Sequence, residues 1–198
     1  MAETRLQLAR SELILGGQKS GKSRRAEMLA RDWLAQSANH QSVLIATAQP
    51  WDEEMRERIA RHQVDRAARV PGMTTVEEPL ALAEAIAQYS RPDRLVVVDC
   101  LTLWLTNWLM PVESEVEVNK PLAFAGSAPV AMLLRAIEKA SGPVVLVGNE
   151  IGMGVIPMGS EVRAFVDALG RLNQDVAAVC HRVTLMAAGL PLTLKDAG

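Results

Sequence analysis

The sequence predicts an α/β fold of the P-loop nucleotide-binding type, with a mostly parallel central sheet flanked by helices. Three observations predict it. Short Val/Ile/Leu runs alternate with longer helix-period segments along the whole chain. The runs are continuous rather than alternating with polar residues, the pattern of strands buried on both faces of a parallel sheet. A glycine-rich turn joins the first run to the first helical segment. At 198 residues the chain reads as one domain, 1–198, large rather than two small ones.

The elements follow in order. A first strand at 13–15 ends in a glycine pair, and a helix at 23–36 follows. A second strand at 43–46 precedes a helix at 52–66. A weaker strand at 74–76 leads to a helix at 79–89, with Pro79 where a helix can start. The β-branched run 95–98 stops at Asp99 and a helix at 101–110 follows. Residues 111–129 mix Pro, Glu, Ser and Gly without period, and read as a surface loop or peripheral insertion. A helix at 130–140 precedes a strand at 144–147. At 161–179, Val162, Phe165, Leu169, Leu172, Val176 and Val179 recur at +3 and +4, one apolar helix face. Strands at 183–186 and 190–194 close the chain.

Composition narrows the function. Hydrophobic residues are 49% and charged residues 22%, ordinary for a folded domain. Aromatics are only 4%, so the core rests on aliphatic residues and methionine. A balance of 21 basic against 23 acidic residues, with no basic run, argues against a general nucleic-acid binder. Cys100 and Cys180 sit in apolar surroundings and read as buried free thiols. No signal peptide and no apolar run of about 18 residues is visible, so a cytoplasmic protein without a membrane span is expected.

Residues 16–23, Gly16-Gly17-Gln18-Lys19-Ser20-Gly21-Lys22-Ser23, satisfy G-x-x-x-x-G-K-[ST] between a strand and a helix. Glycines let the backbone curl so that successive N–H groups point at phosphate oxygens. The helix start adds its partial positive charge. Lys22 is expected to reach the β- and γ-phosphates, and the Ser23 hydroxyl to ligate Mg²⁺. The motif binds a nucleoside triphosphate but does not separate kinase, motor and switch. Asp99, at the carboxyl end of its strand, is placed to hold Mg²⁺ directly or through water; the alternative is a residue that caps the following helix.

Of three histidines, His40 and His181 read as structural or exposed. His62 follows Met55 and Ile59 at +4 and +3, on the stripe expected to face the protein, opposite Glu53, Glu54, Arg56, Glu57 and Arg61. It is either a core histidine or a nucleophile or base near the nucleotide.

Several blocks then combine. They are the phosphate loop, Leu44-Ile45-Ala46-Thr47-Ala48, Asp52-Glu53-Glu54-Met55 with Ile59 and His62, and Val76-Glu77-Glu78-Pro79. Further on come Val98-Asp99-Cys100-Leu101-Thr102-Leu103-Trp104-Leu105-Thr106-Asn107 and Asn149-Glu150-Ile151-Gly152-Met153-Gly154-Val155-Ile156-Pro157, with Gly170-Arg171-Leu172-Asn173-Gln174 behind them. In this order they resemble the bifunctional adenosylcobinamide kinase / adenosylcobinamide-phosphate guanylyltransferase family of cobalamin biosynthesis, from about residue 12 to about residue 194. The resemblance implies two reactions: a nucleoside triphosphate (ATP or GTP) phosphorylates adenosylcobinamide, and GTP then donates GMP to that phosphate through a histidine. His62 matches that histidine. The implied GTP site takes in Gly16, Gly17, Gln18, Lys19, Ser20, Gly21, Lys22 and Ser23, then Ile45, Ala46 and Thr47. It continues through Gln63, Val64, Asp65, Arg66, Glu77 and Asp99. Glu77 suits guanine N1–H and N2–H₂ as an acceptor, or is a solvated strand-end carboxylate. Asn149 and Glu150, at a strand's carboxyl end, are candidates for the corrinoid side. The family is also similar to recombination-type P-loop proteins in its sheet, and usually forms homotrimers.

The chain departs from that pattern. Gln18-Lys19 stands where Ala-Arg is common, and Arg61 precedes a single His62 where some members carry two histidines. The stretch between His62 and Glu77 is a few residues longer than usual, and 111–129 aligns with nothing. Two other readings of the motif stay open: a monofunctional small-molecule P-loop kinase, and a nucleotide switch acting on a protein partner. Cys100 after Asp99, where motor-type proteins tend to carry a catalytic Glu, weighs against the last.

Overall fold

A computed structural model describes residues 7–50, 52–110, 127–155 and 157–197. The chain runs β1 (Ser11–Gly16), α1 (Lys22–Leu34), β2 (Gln41–Ala46), α2 (Glu53–Arg69), β3 (Met73–Glu77), α3 (Leu82–Tyr89) and β4 (Arg94–Asp99). It continues as α4 (Leu101–Leu109), α5 (Ala128–Lys139), β5 (Val144–Val147), α6 (Ser160–Val179), β6 (Arg182–Ala187) and β7 (Leu190–Asp196). The seven strands form one sheet in the order β3-β2-β4-β5-β1-β6-β7. All neighbours are parallel except the β6–β7 pair.

Both faces of the sheet are covered, which is why the strands carry continuous aliphatic runs. Leu13, Val43, Ile45, Val96, Val98 and Leu146 point to one side, against α3, α4, α5 and α6. Ile14, Leu44, Val97, Val145 and Val147 point to the other, against Ala26, Leu29 and Ala30 of α1. The most deeply buried charge among the described residues lies on β1. Glu12 of β1 is fully buried; it accepts from Arg25 Nε at 3.1 Å and from the Thr184 hydroxyl at 2.7 Å, with Arg182 at 3.9 Å.

α2 is held differently. Asp52 caps it by accepting from the Met55 N–H at 2.7 Å, and its carboxyl-terminal turns are pinned by charge. Arg69 donates to Glu27 of α1 at 2.8 Å, and buried Arg66 donates to the Thr75 hydroxyl at 3.2 Å.

Four sequence expectations change. Pro79 does not begin a helix: the Glu78 carboxylate accepts from the N–H groups of Leu80 and Ala81, making a turn that delays α3 to Leu82. Residues 128 and 129 belong to α5, with Pro129 in its first turn; of the segment 111–129, residues 111–126 lie outside the described residues. The last strand is the antiparallel arm of a hairpin and is exposed, because Ala188 and Gly189 both take positive φ and form a tight two-residue turn. Val162, expected on the inner face of α6, is exposed, while Leu169, Leu172 and Val176 are buried.

Candidate nucleotide site

The carboxyl ends of β1, β2, β4 and β5 lie along one edge of the sheet, where the glycine-rich turn at 16–21 follows β1. The turn is shaped from beneath. Gly16 has φ 149°, and a Cβ there would lie 2.4 Å from the Met186 carbonyl oxygen of β6. Lys19 has φ 56° and Gly21 φ 102°, so two left-handed residues flank Ser20. The Gly189 N–H of the β6–β7 turn donates to the Ser20 carbonyl at 3.0 Å, and the Glu150 N–H donates to the Gly16 carbonyl at 3.0 Å. Gly17, Gln18 and Lys19 are exposed, whereas Ser20 is buried. α1 starts immediately after, with Gly21 as its N-cap, so its free N–H groups open on the turn.

Lys22 is buried, 7% exposed, and its Nζ donates to the Gly17 carbonyl at 2.6 Å. Burial lowers its pKa, while the neighbouring Cys100 and Asp99 oppose that shift. Lys22, Asp99 and Cys100 therefore lie within electrostatic reach. The strand of Asp99 is not next to the strand of the phosphate loop, because β5 runs between them. Asp99 pairs in register with Ala46 on one side and Val147 on the other. The helix after Asp99 takes Cys100 as its N-cap, with no side-chain hydrogen bond from that residue.

Ser23, half-buried in the first turn of α1, and Asp99, half-buried at the end of β4, are oxygen donors of the hard type that suits Mg²⁺. Among the described residues no cluster of three or more His, Cys, Asp or Glu side chains could hold a metal alone. An ion that arrives with phosphate oxygens and keeps its waters needs only one or two protein ligands.

The other expected site residues divide. Ile45 is fully buried and its side chain is core. The Ala46 carbonyl accepts from the Glu78 N–H at 2.9 Å, tying the end of β2 to the turn after β3. Thr47 is fully buried, and its hydroxyl accepts from the Cys100 N–H at 2.9 Å and donates to the Cys100 carbonyl at 2.7 Å. Gln63 and Val64 are exposed, as is Asp65, which accepts from Arg69 at 3.1 Å. Arg66 is turned into the protein towards Glu27 and Thr75. Glu77 is exposed at the end of β3. Asn149 and Glu150 are half-buried beyond β5; the Asn173 amide of α6 donates to the Asn149 carbonyl at 3.0 Å, and Glu150 accepts from the Gly152 N–H at 3.0 Å.

His62 is exposed, which corrects its placement on a covered stripe. The stripe exists: Met55 and Ile59 are half-buried and Arg66, one turn beyond His62, is buried. Periodicity identified the face, but nothing covers that face at position 62. A core histidine is therefore excluded, and the imidazole is accessible to a ligand. His40 stacks on Trp33 with ring centroids 3.6 Å apart, and His181 shares a 2.9 Å hydrogen bond with Ser11, so both are structural.

Thr102, Asn107 and Asn173 stood in the blocks that carry the resemblance, but the sequence reading gave them no role at this edge. The Thr102 hydroxyl accepts from the Asn149 N–H at 2.9 Å, and the Asn107 amide donates to the carbonyls of Thr47 at 2.8 Å and Pro79 at 3.0 Å. A polar residue in an otherwise apolar helix such as α4 was the available signal. A cleft of about 640 Å³ bounded by Arg10, Trp33 and Lys139 opens at the opposite edge of the sheet. That is the amino end of the strands, away from where open α/β sheets bind ligands.

The family of cobinamide kinase / cobinamide phosphate guanyltransferase matches residues 12–194. The chain is 45% identical over 184 residues to the bifunctional adenosylcobalamin biosynthesis protein CobP of Pseudomonas aeruginosa, covering 93% of this chain and 96% of the relative. It is 35% identical over 187 residues to the bifunctional adenosylcobalamin biosynthesis protein CobU of Escherichia coli, covering 92% and 98%. Among solved structures, the flagellar accessory protein FlaH from Methanocaldococcus jannaschii shares the fold, with a TM-score of 0.50, 12% identity and 94% of this chain covered, against 78% of that one.

Proposed function

Because the chain belongs to the cobinamide kinase / cobinamide phosphate guanyltransferase family, we infer that its one nucleotide site serves two successive transfers. The protein is a bifunctional transferase of cobalamin biosynthesis, a kinase and a guanylyltransferase. In the first reaction the alcohol of adenosylcobinamide attacks the γ-phosphorus of ATP or GTP, and the nucleoside diphosphate leaves. In the second, GMP passes from GTP to adenosylcobinamide phosphate, giving adenosylcobinamide-GDP and pyrophosphate.

The observation that carries this reading is Lys22, buried under the glycine turn and within the field of Asp99. Loop N–H groups, the start of α1 and Lys22 together stabilise negative charge on a triphosphate in both reactions. Ser23 and Asp99 are the oxygens that would hold Mg²⁺, which neutralises phosphate charge when bound. His62 is the proposed nucleophile for guanylyl transfer. Its neutral imidazole attacks the α-phosphorus of GTP, a P–N bond forms, the bond to the bridging oxygen breaks, and pyrophosphate departs. The corrinoid phosphate then displaces the imidazole. The exposure of His62 supports this role, since a nucleophile sealed among aliphatic side chains could not meet a phosphorus.

Gln63 to Arg66 and Glu77 are proposed for the base end of GTP and Asn149 and Glu150 for the corrinoid side, with Arg66 acting through the α2–β3 packing it already makes. We treat 1–198 as one nucleotide-binding unit, working in the cytoplasm as a homotrimer. Leu190, Leu192 and Leu194, 70%, 58% and 56% exposed on the outermost strand, support such an assembly. No helix among the described residues is long and apolar enough to cross a membrane.

Incubation with α-labelled GTP tests the core of the reading. An acid-labile, base-stable label stays on the protein and disappears in His62→Ala, which still phosphorylates adenosylcobinamide. Kinase activity with no covalent label in the wild type would leave a simple kinase. Hydrolysis stimulated by a protein partner, with no corrinoid phosphorylated, would leave a nucleotide switch.

A further inference from the structure

We propose that Thr47 is a positioning residue for the Asp99 carboxylate, held in place by Asn107. The proposal rests on the reading of Asp99 as the metal carboxylate. Asp99 ends β4, and its orientation depends on what fixes the backbone just after it. There the chain is held by three hydrogen bonds, all from Thr47. The Thr47 hydroxyl accepts from the Cys100 N–H at 2.9 Å and donates to the Cys100 carbonyl at 2.7 Å. The Thr47 N–H donates to the Asp99 carbonyl at 3.2 Å. One residue beyond β2 thus bonds both peptide groups that follow the Asp99 side chain.

Thr47 is in turn fixed. It is fully buried, and its own carbonyl accepts from the Asn107 amide at 2.8 Å. The same amide donates at 3.0 Å to the carbonyl of Pro79, two residues after Glu77. Asn107 is 4% exposed, and its Oδ1 has no hydrogen-bond partner. A buried amide that satisfies only its nitrogen is costly for stability alone, which points to the positions it sets at either end. The clamp joins the metal end of the site, at Asp99, to the base end, at 77–79. The Thr47 hydroxyl has both its donor and its acceptor function engaged by Cys100, so its part is to hold Asp99 rather than to touch nucleotide.

The test reads binding rather than turnover. Affinity for α,β-methylene-GTP, which resists attack at the α-phosphorus, is measured by calorimetry in EDTA and across a Mg²⁺ titration. Wild type, Thr47→Val, Thr47→Ser and Asp99→Asn are compared. Residues that orient a ligand cost roughly 10–100-fold in metal affinity when lost. Thr47→Val, nearly the same shape, loses about tenfold or more of the Mg²⁺-dependent gain in affinity, keeps its affinity in EDTA, and is rescued by Thr47→Ser. If Asp99→Asn loses the Mg²⁺ dependence while Thr47→Val keeps it, the positioning role is wrong and the metal reading stands. If Asp99→Asn keeps it, the metal reading fails and this proposal with it. Equal loss by Thr47→Val with and without Mg²⁺ reduces Thr47 to general scaffolding and overturns the proposal. Should Thr47→Val not fold, Thr47→Ala replaces it under the same outcomes.

Discussion

Lys22 is held by two opposed influences. Burial disfavours its charge, while Cys100 and Asp99 favour it. Its Nζ rests on the Gly17 carbonyl, inside the turn that phosphates would fill. Lys22→Ala removes the one buried cation of the loop. It lowers kcat/KM for both corrinoid phosphorylation and guanylyl transfer by about 10²–10³-fold, the usual cost of one preorganised electrostatic contact. Steady-state kinetics of the two half-reactions check this, and loss of only one would separate the sites. This residue was legible in the sequence because the motif fixes it relative to its own turn. Thr47 was named only through the family resemblance, as a nucleotide contact; its grip on Cys100, like the part of Asn107, was not legible, because both arise from pairing β2 with β4 and packing α4 against them. His62 was half legible: spacing named its helix face, and only the packing of α2 shows that face open.

Elements differ in how they are attached. α1 contributes Ala26, Leu29 and Ala30 to the core and cannot move without opening it. α2 lends that core no buried aliphatic side chain of its own and is fixed by Arg66 and Arg69 at its far end. Its amino-terminal half is the less anchored part, and His62 lies just past the midpoint, before the buried Arg66. β1 combines buried aliphatic side chains with a buried charge at Glu12. Glu12→Ala leaves Arg25, 11% exposed, without its carboxylate. Removing one partner of a buried pair costs about 3–5 kcal/mol. Urea unfolding measures the loss, and a change well under 1 kcal/mol would show the pair to be solvated. Helix and strand existence was legible from period and run length. The hairpin at 187–190 also had its signal, two apolar runs separated by Ala188-Gly189.

At the scale of the whole molecule, strand order was not legible, because interposing β5 between β1 and β4 is decided by crossover packing and leaves no local trace. The two buried thiols give the fold a directional response to alkali. Burial pushes Cys100 from 9.0 up to about 11 and Cys180 from 9.0 up to about 12. Between pH 9 and 11 the unfolded chain has released protons that the folded chain still holds, so stability falls as pH rises. The slope is on the order of 1 kcal/mol per pH unit for each thiol. Lys22 acts oppositely in this range, since burial lowers its pKa, but it is one group against two. Urea midpoints at pH 8, 9 and 10 therefore decline in that order, and a flat or rising series would contradict the burial of the thiols.

β1 sits between β5 and β6, and the Ser20 carbonyl waits for the N–H of Gly189. The loop therefore leans on backbone that lies far along the chain, even though β5 already flanks β1 on its other side. A chain cut before residue 180 lacks both β6 and the turn that underpins the glycine loop, so the support of the first turn is a long-range debt within the sheet rather than a local property of its glycines.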